Sequence, residues 1–553
     1  MDLSLTWLLR PSPDSAGESY RRGVVQRPRC YLFLAAFVVL GVLLRVYDLA
    51  GESLWRDEVW SIDFARLDIP RLLDRLRSFD VHPPLYYLLL HYWLILWGES
   101  EFATRLLSVL FGSLAIIWSY LVAARLFNPT AGVFTALLVT TSAFQVYYAR
   151  EARGYSLVAF LTLLSYSFFI RCLQDRHWTA RGGYVVATAL LLYTHVYGLF
   201  TVLAQNVYWA VVWLCSRRHS YRRGLTWVLL QSVVLLLYAP WLSATLAQTE
   251  RVRQGFWIER PTLFSVVSTL STYSGSRLSF LIFLVAALIA TFPTLKEKLP
   301  RLGKKQRFSS SFLPLADGRP STAAAVLLLV TWLLLPLLLP LVISQFMEPI
   351  YLSRCTIGAS LAWYMLLAKG IESARSRPSI QAALVGLFFF CSAVNLWQYY
   401  NKSRKEQWRE VARYVEYNAA PGDLVLFYAG FCQAPFDYYA KRPDLIKKAV
   451  QDFSPEGDAT AQVASVLNGT DGQVWLVLCE DWQRRKGLTQ RLHEVFPALS
   501  HQRYVGIDLL RMKPSSAQRR NSTPSEGRAT ASPRPGKTDE MHDPDTFRLL
   551  RTR

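Results

Sequence analysis

Long apolar blocks divide most of this chain, and nothing else in it constrains the fold as strongly. Each runs to roughly 17–24 residues, and eleven are clear: 31–50, 102–124, 131–149, 154–172, 183–198, 199–215, 225–245, 275–293, 322–345, 351–369 and 379–399. A helix of that length crosses a hydrocarbon core of about 30 Å. In lipid every backbone N–H and C=O must be satisfied within its own segment, so the blocks predict a polytopic α-helical membrane protein of about 11 transmembrane helices. Only 18% of the residues are charged, where a soluble chain would carry about a quarter. The first 30 residues are polar and basic, and the first apolar block is long and lacks a small-residue cleavage site. No cleavable signal peptide is expected.

The net charge of +21 invites a nucleic-acid reading. The distribution of the charge excludes it, because the basic residues gather in short loops between apolar blocks, as the positive-inside rule requires. The same rule sets the topology. The segment "PPLYYLLLHYWLILWG", 83–98, is short for a span, aromatic, and carries His91 in its middle. If it lies along the outer surface and Arg21, Arg22, Arg27 and Arg29 are inside, the other clusters also fall inside. These are Arg217, Arg218, Arg222 and Arg223, then Lys296 to Arg307, then Arg375 and Arg377. If it spans, every cluster flips outward. The outer side therefore receives 51–101, 147–156, 246–274, 347–354 and the chain beyond 400. The "YTHVYG" break at 193–198 separates two of the spans.

The expected organisation is a cytoplasmic basic tail at 1–30, a transmembrane domain at 31–400 with its first outer loop at 51–101, and an extracytoplasmic domain at 401–512. A Ser-, Pro- and Arg-rich tail at 513–553 reads as disordered. Within 401–512, "KEQWREVARYVEYNA" and "GLTQRLHEVFPAL" read as helices, "PGD" as a turn, and "LVLFYA", "QVWLVLCED" and "YVGIDLLRM" as strands. This is a small α/β domain with a partly parallel sheet. Of seven cysteines, Cys172, Cys215, Cys355 and Cys391 lie in or beside apolar blocks as small apolar filler. Cys432 and Cys479 can pair if their domain is extracytoplasmic.

Polar residues pooled on one face of a membrane protein are candidates for function. In "GESLWRDEVWS", Asp57 and Glu58 sit between Trp55 and Trp60, which suit an interfacial segment. In "VHPPLYY", His82 precedes a proline pair that starts a helix, and it reads equally as a simple helix start. "YYAREARGYS" brings Arg150, Glu151, Arg153 and Tyr155. Two guanidinium forks beside aromatics make a phosphate clamp, although basic residues also snorkel at helix ends. His195 and Arg354 complete the outward set; a lone His at the membrane edge is more often structural than a substrate contact, and Arg354 is expected about one turn into a span.

Together "RVYDLAGESLWRDEVWS", "HPPLYYLLLHYWLILWGESEFATRLLSVLFG", "YYAREARGYSL" and "LYTHVYGLF" resemble the GT-C glycosyltransferases of the protein mannosyltransferase type (family 39), in their bacterial mannosyltransferase-like branch. The lipid A aminoarabinose transferase is a more distant likeness. The resemblance is strong over about 40–220 and weaker to about 400. It implies transfer of a sugar from a polyprenyl-phosphate donor, at the extracytoplasmic side of the cell membrane, to a protein, lipid or glycan. It also implies that Asp57 is the essential acid of the first outer loop. Oligosaccharyltransferases of the superfamily hold a divalent metal on acids, so a metal on Asp57 and Glu58 stays open; no other cofactor is implied.

The chemistry is consistent with that inventory. A polyprenyl phosphate leaves readily and needs cations to receive its charge, while one carboxylate suffices to deprotonate an acceptor hydroxyl. A glycoside hydrolase would instead need an acid and a base flanking the bond. Asp57 is the expected base, Glu58 its helper, and Arg150, Arg153 and Arg354 the phosphate contacts, by inverting displacement. A lipid-linked sugar flippase or other transporter would place charges at mid-span, and a non-catalytic assembly protein would tolerate loss of Asp57. A reporter fused between Gly98 and Glu99 is predicted to read out as extracytoplasmic; a cytoplasmic signal there would reverse the whole topology.

Overall fold

The computed structural model describes residues 18–174, 177–215, 221–253, 258–285, 320–450, 466, 473–479 and 498–512. The tail at 513–553, parts of the loops at 216–224 and 294–321, and most of the helix expected at 487–499 lie outside them. The chain forms two compact units. One comprises 1–51, 61–253 and 258–402; the other comprises 52–60, 254–257 and 403–553.

The first unit is helical, as the apolar blocks require. Among the described residues six helices are long and apolar enough to cross a membrane, against the eleven spans expected: Pro28–Val46, Glu101–Leu126, Tyr155–Gln174, Tyr221–Arg253, Thr322–Phe346 and Pro378–Tyr400. A seventh candidate is the pair Pro129–Thr141 and Ala143–Ala149, bent by 60°. Leu32, Leu236, Phe346 and Phe390 stay exposed on these helices, the pattern of side chains that face lipid. The protein is a multi-pass membrane protein.

The structure revises several blocks. Segments 183–198, 199–215 and 351–369 become helices of 15, 17 and 17 residues, Trp178–Leu192, Gly198–Leu214 and Ile357–Ser373. The block at 225–245 belongs to one 33-residue helix, so the loop expected at 246–274 begins with helix and later holds Leu263–Tyr273. Residues 277–285 are helical, and the rest of 275–293 is not described. Segment 83–98 forms Leu85–Trp97, whose 13 residues amount to about 20 Å of helix, too short to span.

Charges inside this unit are met by backbone oxygens. Arg45 is fully buried, and its guanidinium donates to the carbonyls of Gly41 (3.0 Å), Thr140 (3.4 Å) and Val139 (3.2 Å). Arg105 donates to the Leu49 carbonyl at 2.8 Å. The 60° bend is made by Ser142, which takes an extended conformation and caps the following helix by accepting from the Gln145 N–H.

The second unit is built on a five-stranded mixed sheet, ordered β2-β1-β3-β5-β4, from β1 Leu424–Tyr428, β2 Ile446–Val450, β3 Val474–Leu478, β4 Ala498–Tyr504 and β5 Ile507–Met512. β1 runs parallel to β2 and β3, and β5 antiparallel to β3 and β4. The continuous apolar run of β1 is explained by burial of both faces. Val425 and Phe427 pack with Trp408, Val415, Phe436 and Trp475, while Leu424 and Leu426 pack with Leu476, Leu510 and Met512. Two strands were not read from the sequence. β2 has weak apolar content, and "YVGIDLLRM" breaks at Val505–Gly506 into a hairpin turn rather than one strand. Gly506 has φ +76°, a region that favours glycine. The "PGD" turn is pinned by Asp423, whose carboxylate accepts from the Ala420 N–H and the Trp475 indole. Cys432 and Cys479 are joined by a disulfide.

Residues 52–60 belong to this second unit. Ser53 donates to the Glu406 carbonyl at 2.7 Å, and the Leu54 N–H donates to the Tyr439 hydroxyl at 2.7 Å. Glu58, with no exposed surface, meets Lys405 at 3.1 Å. Removing one partner of a buried ion pair strands the other charge away from water. Lys405→Met is therefore predicted to destabilise the protein by about 3–5 kcal/mol, and Lys405→Met with Glu58→Leu to recover most of the loss, read by thermal unfolding of the full chain in detergent.

Candidate functional site

In the first unit four chain breaks contribute to one cluster. The Pro83–Pro84 pair delivers the start of Leu85–Trp97, and the Leu85 N–H donates to the Tyr193 carbonyl at 2.9 Å. That bond places His82 beside the break that carries His195, with ring centroids 5.2 Å apart. The 150–154 turn enters through Arg153, whose carbonyl accepts from the Ser108 hydroxyl at 3.1 Å. The Tyr197 hydroxyl donates to the Ile350 carbonyl at 2.6 Å and so anchors the chain leading to Arg354.

Asp80 is the centre of the resulting cluster. Its Oδ1 accepts from His82 Nδ1 (2.7 Å) and from the N–H groups of Val81 (2.6 Å) and His82 (3.2 Å), and its Oδ2 accepts from the Tyr87 hydroxyl (2.6 Å). Arg251 donates to the Asp80 carbonyl at 3.0 Å. Burial works to raise the Asp80 carboxyl. His82, Arg153 and the Tyr87 hydroxyl outweigh it and hold the group well below the usual aspartate range. Arg153 reaches Ser61 (3.3 Å), the Tyr87 hydroxyl (3.4 Å) and His82 Nε2 (3.4 Å).

His195 lies within the same cluster, 6% exposed, with the ring of Tyr155 at 6.2 Å. Its Nδ1 accepts from the Tyr197 N–H at 3.1 Å, so the ring proton resides on Nε2. That Nε2–H is buried and has no hydrogen-bond partner among the described residues. The charged groups bearing on His195 are His82, Arg153, Arg354 and Asp80: three basic groups against one acid. A buried donor in such surroundings suits an anion.

Residues 81–243, which carry most of this cluster, match the family model described as dolichyl-phosphate-mannose-protein mannosyltransferase. Comparison with curated proteins finds no significant match. Among solved structures, the chain is similar to ArnT from Cupriavidus metallidurans in the apo state, with a TM-score of 0.55 at 14% identity, over 88% of this chain and 98% of that one. The same protein bound to undecaprenyl phosphate gives 0.53 at 15% identity, over 86% and 97%. The Archaeoglobus fulgidus oligosaccharyltransferase in the apo form gives 0.50 at 12% identity, over 81% and 69%. The chain shares its fold, the GT-C type, with these structures.

Within this GT-C fold the sequence-derived candidates separate. His82, Arg153, Tyr155, His195 and Arg354 gather in the first unit. Arg354 sits in the 3₁₀ turn Ser353–Thr356, ahead of its helix rather than one turn inside it. Arg150, expected to pair with Arg153 as a clamp, instead donates to the Asp48 carbonyl at 2.7 Å and lies over Tyr399 and Tyr400 at 5.5 and 5.0 Å. Glu151 is buried, close to the Tyr147 and Tyr148 hydroxyls.

Asp57 and Glu58 belong to the second unit. Glu58 Oε2 accepts from Lys405 (3.1 Å) and from the Trp55 N–H (3.3 Å). Asp57 is 13% exposed, with the Arg56 guanidinium at 3.6 Å. Among the described residues no group of three or more His, Cys, Asp and Glu side chains gathers as a cation site. Glu58 is committed to Lys405, so this pair of acids does not make a fitting metal cradle.

Asp80, Tyr87, Arg251, Lys405 and Glu406 were not read from the sequence. Asp80 lies two residues before His82 in the sequence, and an acid so close to the "HPP" start is the available signal. Lys405 and Glu406 were absorbed into a helix that begins only at Trp408. Glu406 accepts from the Trp408 indole (2.6 Å) and the Arg56 N–H (3.4 Å). Burial pushes its carboxyl above the usual glutamate value. Arg56 and the Trp408 bond pull it part of the way back, and Asp57 adds to the rise. A raised carboxyl contributes stability in its protonated form, present below the ordinary value and lost as pH rises through the folded one. Glu406→Gln is therefore predicted to raise the unfolding temperature at pH 7 and to leave it unchanged near pH 4.

Proposed function

We propose that this protein is a membrane glycosyltransferase that moves a sugar from a polyprenyl-phosphate donor to an acceptor on the extracytoplasmic side. The observation that carries the reading is the basic cluster around His195, with its buried, unpartnered Nε2–H, in the segment that matches the mannosyltransferase model. The similar ArnT has been solved with undecaprenyl phosphate bound, which supports a polyprenyl-phosphate carrier here too. The Cys432–Cys479 disulfide supports an oxidising, extracytoplasmic setting for the second unit.

In this reading an acceptor hydroxyl oxygen attacks the anomeric carbon while the bond from that carbon to the phosphate oxygen breaks. The bonding pair leaves on the phosphate, and the configuration inverts. Arg153, Arg354 and the His195 Nε2–H receive the developing negative charge, and His82 contacts the donor side by accepting from Arg153 and orienting it. Arg150 and Glu151 act behind them by fixing the turn that presents Arg153, and Tyr155 lines the cluster. Asp57 takes the acceptor proton, with Glu58 and Lys405 holding its segment in place. A phosphate acceptor would need no base, and Asp57 would then orient it. The acceptor class is a protein, a lipid or a glycan.

Asp57→Asn is predicted to lower transfer from a labelled polyprenyl-phosphate sugar by about 10²–10⁴-fold while the protein accumulates normally in membranes. Undiminished transfer would sink the catalytic assignment, and retained carrier translocation without transfer would favour a lipid-linked sugar flippase.

A further inference from the structure

Asp80 is a charged group in the cluster that the proposed chemistry does not use. Its carboxylate is fully engaged: two backbone N–H groups and His82 Nδ1 on one oxygen, and the Tyr87 hydroxyl on the other. All four donors come from the protein itself, so the carboxylate is spent on local structure rather than aimed at a sugar or an acceptor. Its side chain is 12% exposed, against 21% for His82, so His82 is the member of the pair more open to a ligand.

What Asp80 does control is the geometry of His82. A free imidazole exchanges its proton between two nitrogens and rotates about two bonds. Here the 2.7 Å contact puts the proton on Nδ1, and the two backbone donors on the same oxygen keep that oxygen from turning away. Nε2 is thereby aimed at the Arg153 guanidinium, 3.4 Å away, and toward the His195 ring. The Tyr87 hydroxyl links the pair a second time, because it donates to Asp80 and lies 3.4 Å from Arg153. Arg251, from the 33-residue helix, fixes the same turn through the Asp80 carbonyl.

We propose that Asp80 is the positioning residue of the carrier-phosphate site: it fixes the His82 ring so that Nε2 accepts from Arg153 and holds that guanidinium toward the phosphate. The proposal rests on the reading of this cluster as the phosphate site. The arrangement parallels catalytic acid–histidine pairs in which the acid never touches substrate and acts only through the ring.

The test is a double-mutant cycle on the full chain in detergent, with a labelled polyprenyl-phosphate sugar as donor. His82→Gln is expected to raise the donor KM. Asp80→Asn, which keeps the shape and an acceptor oxygen, is expected to raise the donor KM by about tenfold, the equivalent of one charged hydrogen bond, with a smaller change in kcat. In the His82→Gln background the same Asp80 substitution is expected to add nothing. If the Asp80→Asn effect persists undiminished there, or is absent in the wild-type background, Asp80 acts through the fold alone and the proposal is overturned while the phosphate site stands. If His82→Gln leaves the donor KM unchanged, the phosphate-site reading itself fails. Should Asp80→Asn not accumulate, Asp80→Glu serves in the same cycle. It keeps the charge but displaces it, and its effect on donor KM must likewise vanish without His82.

Discussion

A charge taken out of water must find a partner inside the protein or pull the structure apart, and this chain buries charges in both of its units. In the helical unit Arg45 and Arg105 are met by backbone carbonyls, which turns a costly side chain into a clasp between helices. In the other unit Glu58 and Lys405 meet each other and hold residues 52–60 to the start of the C-terminal chain. The functional cluster follows the same rule with one difference. Asp80 is over-satisfied, whereas the basic groups near it outnumber it and the His195 Nε2–H has no protein acceptor among the described residues. The clasps are met by backbone carbonyls or by one opposite charge, whereas the cluster around His195 sets three basic groups against one acid.

The backbone makes that cluster possible. Each contributing segment is a break: the proline pair ahead of Leu85–Trp97, the turn after Ala143–Ala149, the interruption at 193–197 and the 3₁₀ turn at Ser353–Thr356. Chain breaks leave N–H and C=O groups without helical partners, and those groups lock the breaks together, as when Leu85 donates to Tyr193 and Tyr197 to Ile350. Polar side chains can then collect where helices end, while the apolar faces between them stay continuous.

Much of this was legible in the sequence. Block length and hydropathy predicted the helices, because burial in lipid leaves a chain no other way to satisfy its backbone. The "YTHVYG" and "HPP" signals marked two of the breaks, and His82, Arg153, Tyr155, His195 and Arg354 were all read as outward candidates. The five-stranded sheet was half legible: β1, β3 and β5 are apolar runs, but β2 reads "IKKAV" and β4 "ALSHQRY", and polar edge strands carry little signal.

The sequence by itself determined the membrane class, the helical character of the apolar blocks and the polar residue types gathered at their ends. These follow from local composition and period. It did not determine which acid works with which base. Asp57 and Glu58 are neighbours in the chain, yet Glu58 is spent on Lys405, almost 350 residues away. Arg150 and Arg153 look like one clamp, yet one lies over tyrosines and the other faces two histidines. Asp80, ordinary in the sequence, becomes the hub. Pairing depends on which side chains arrive at the same place after the helices pack, and electrostatic energy falls so steeply with distance and exposure that only the tertiary structure can assign it.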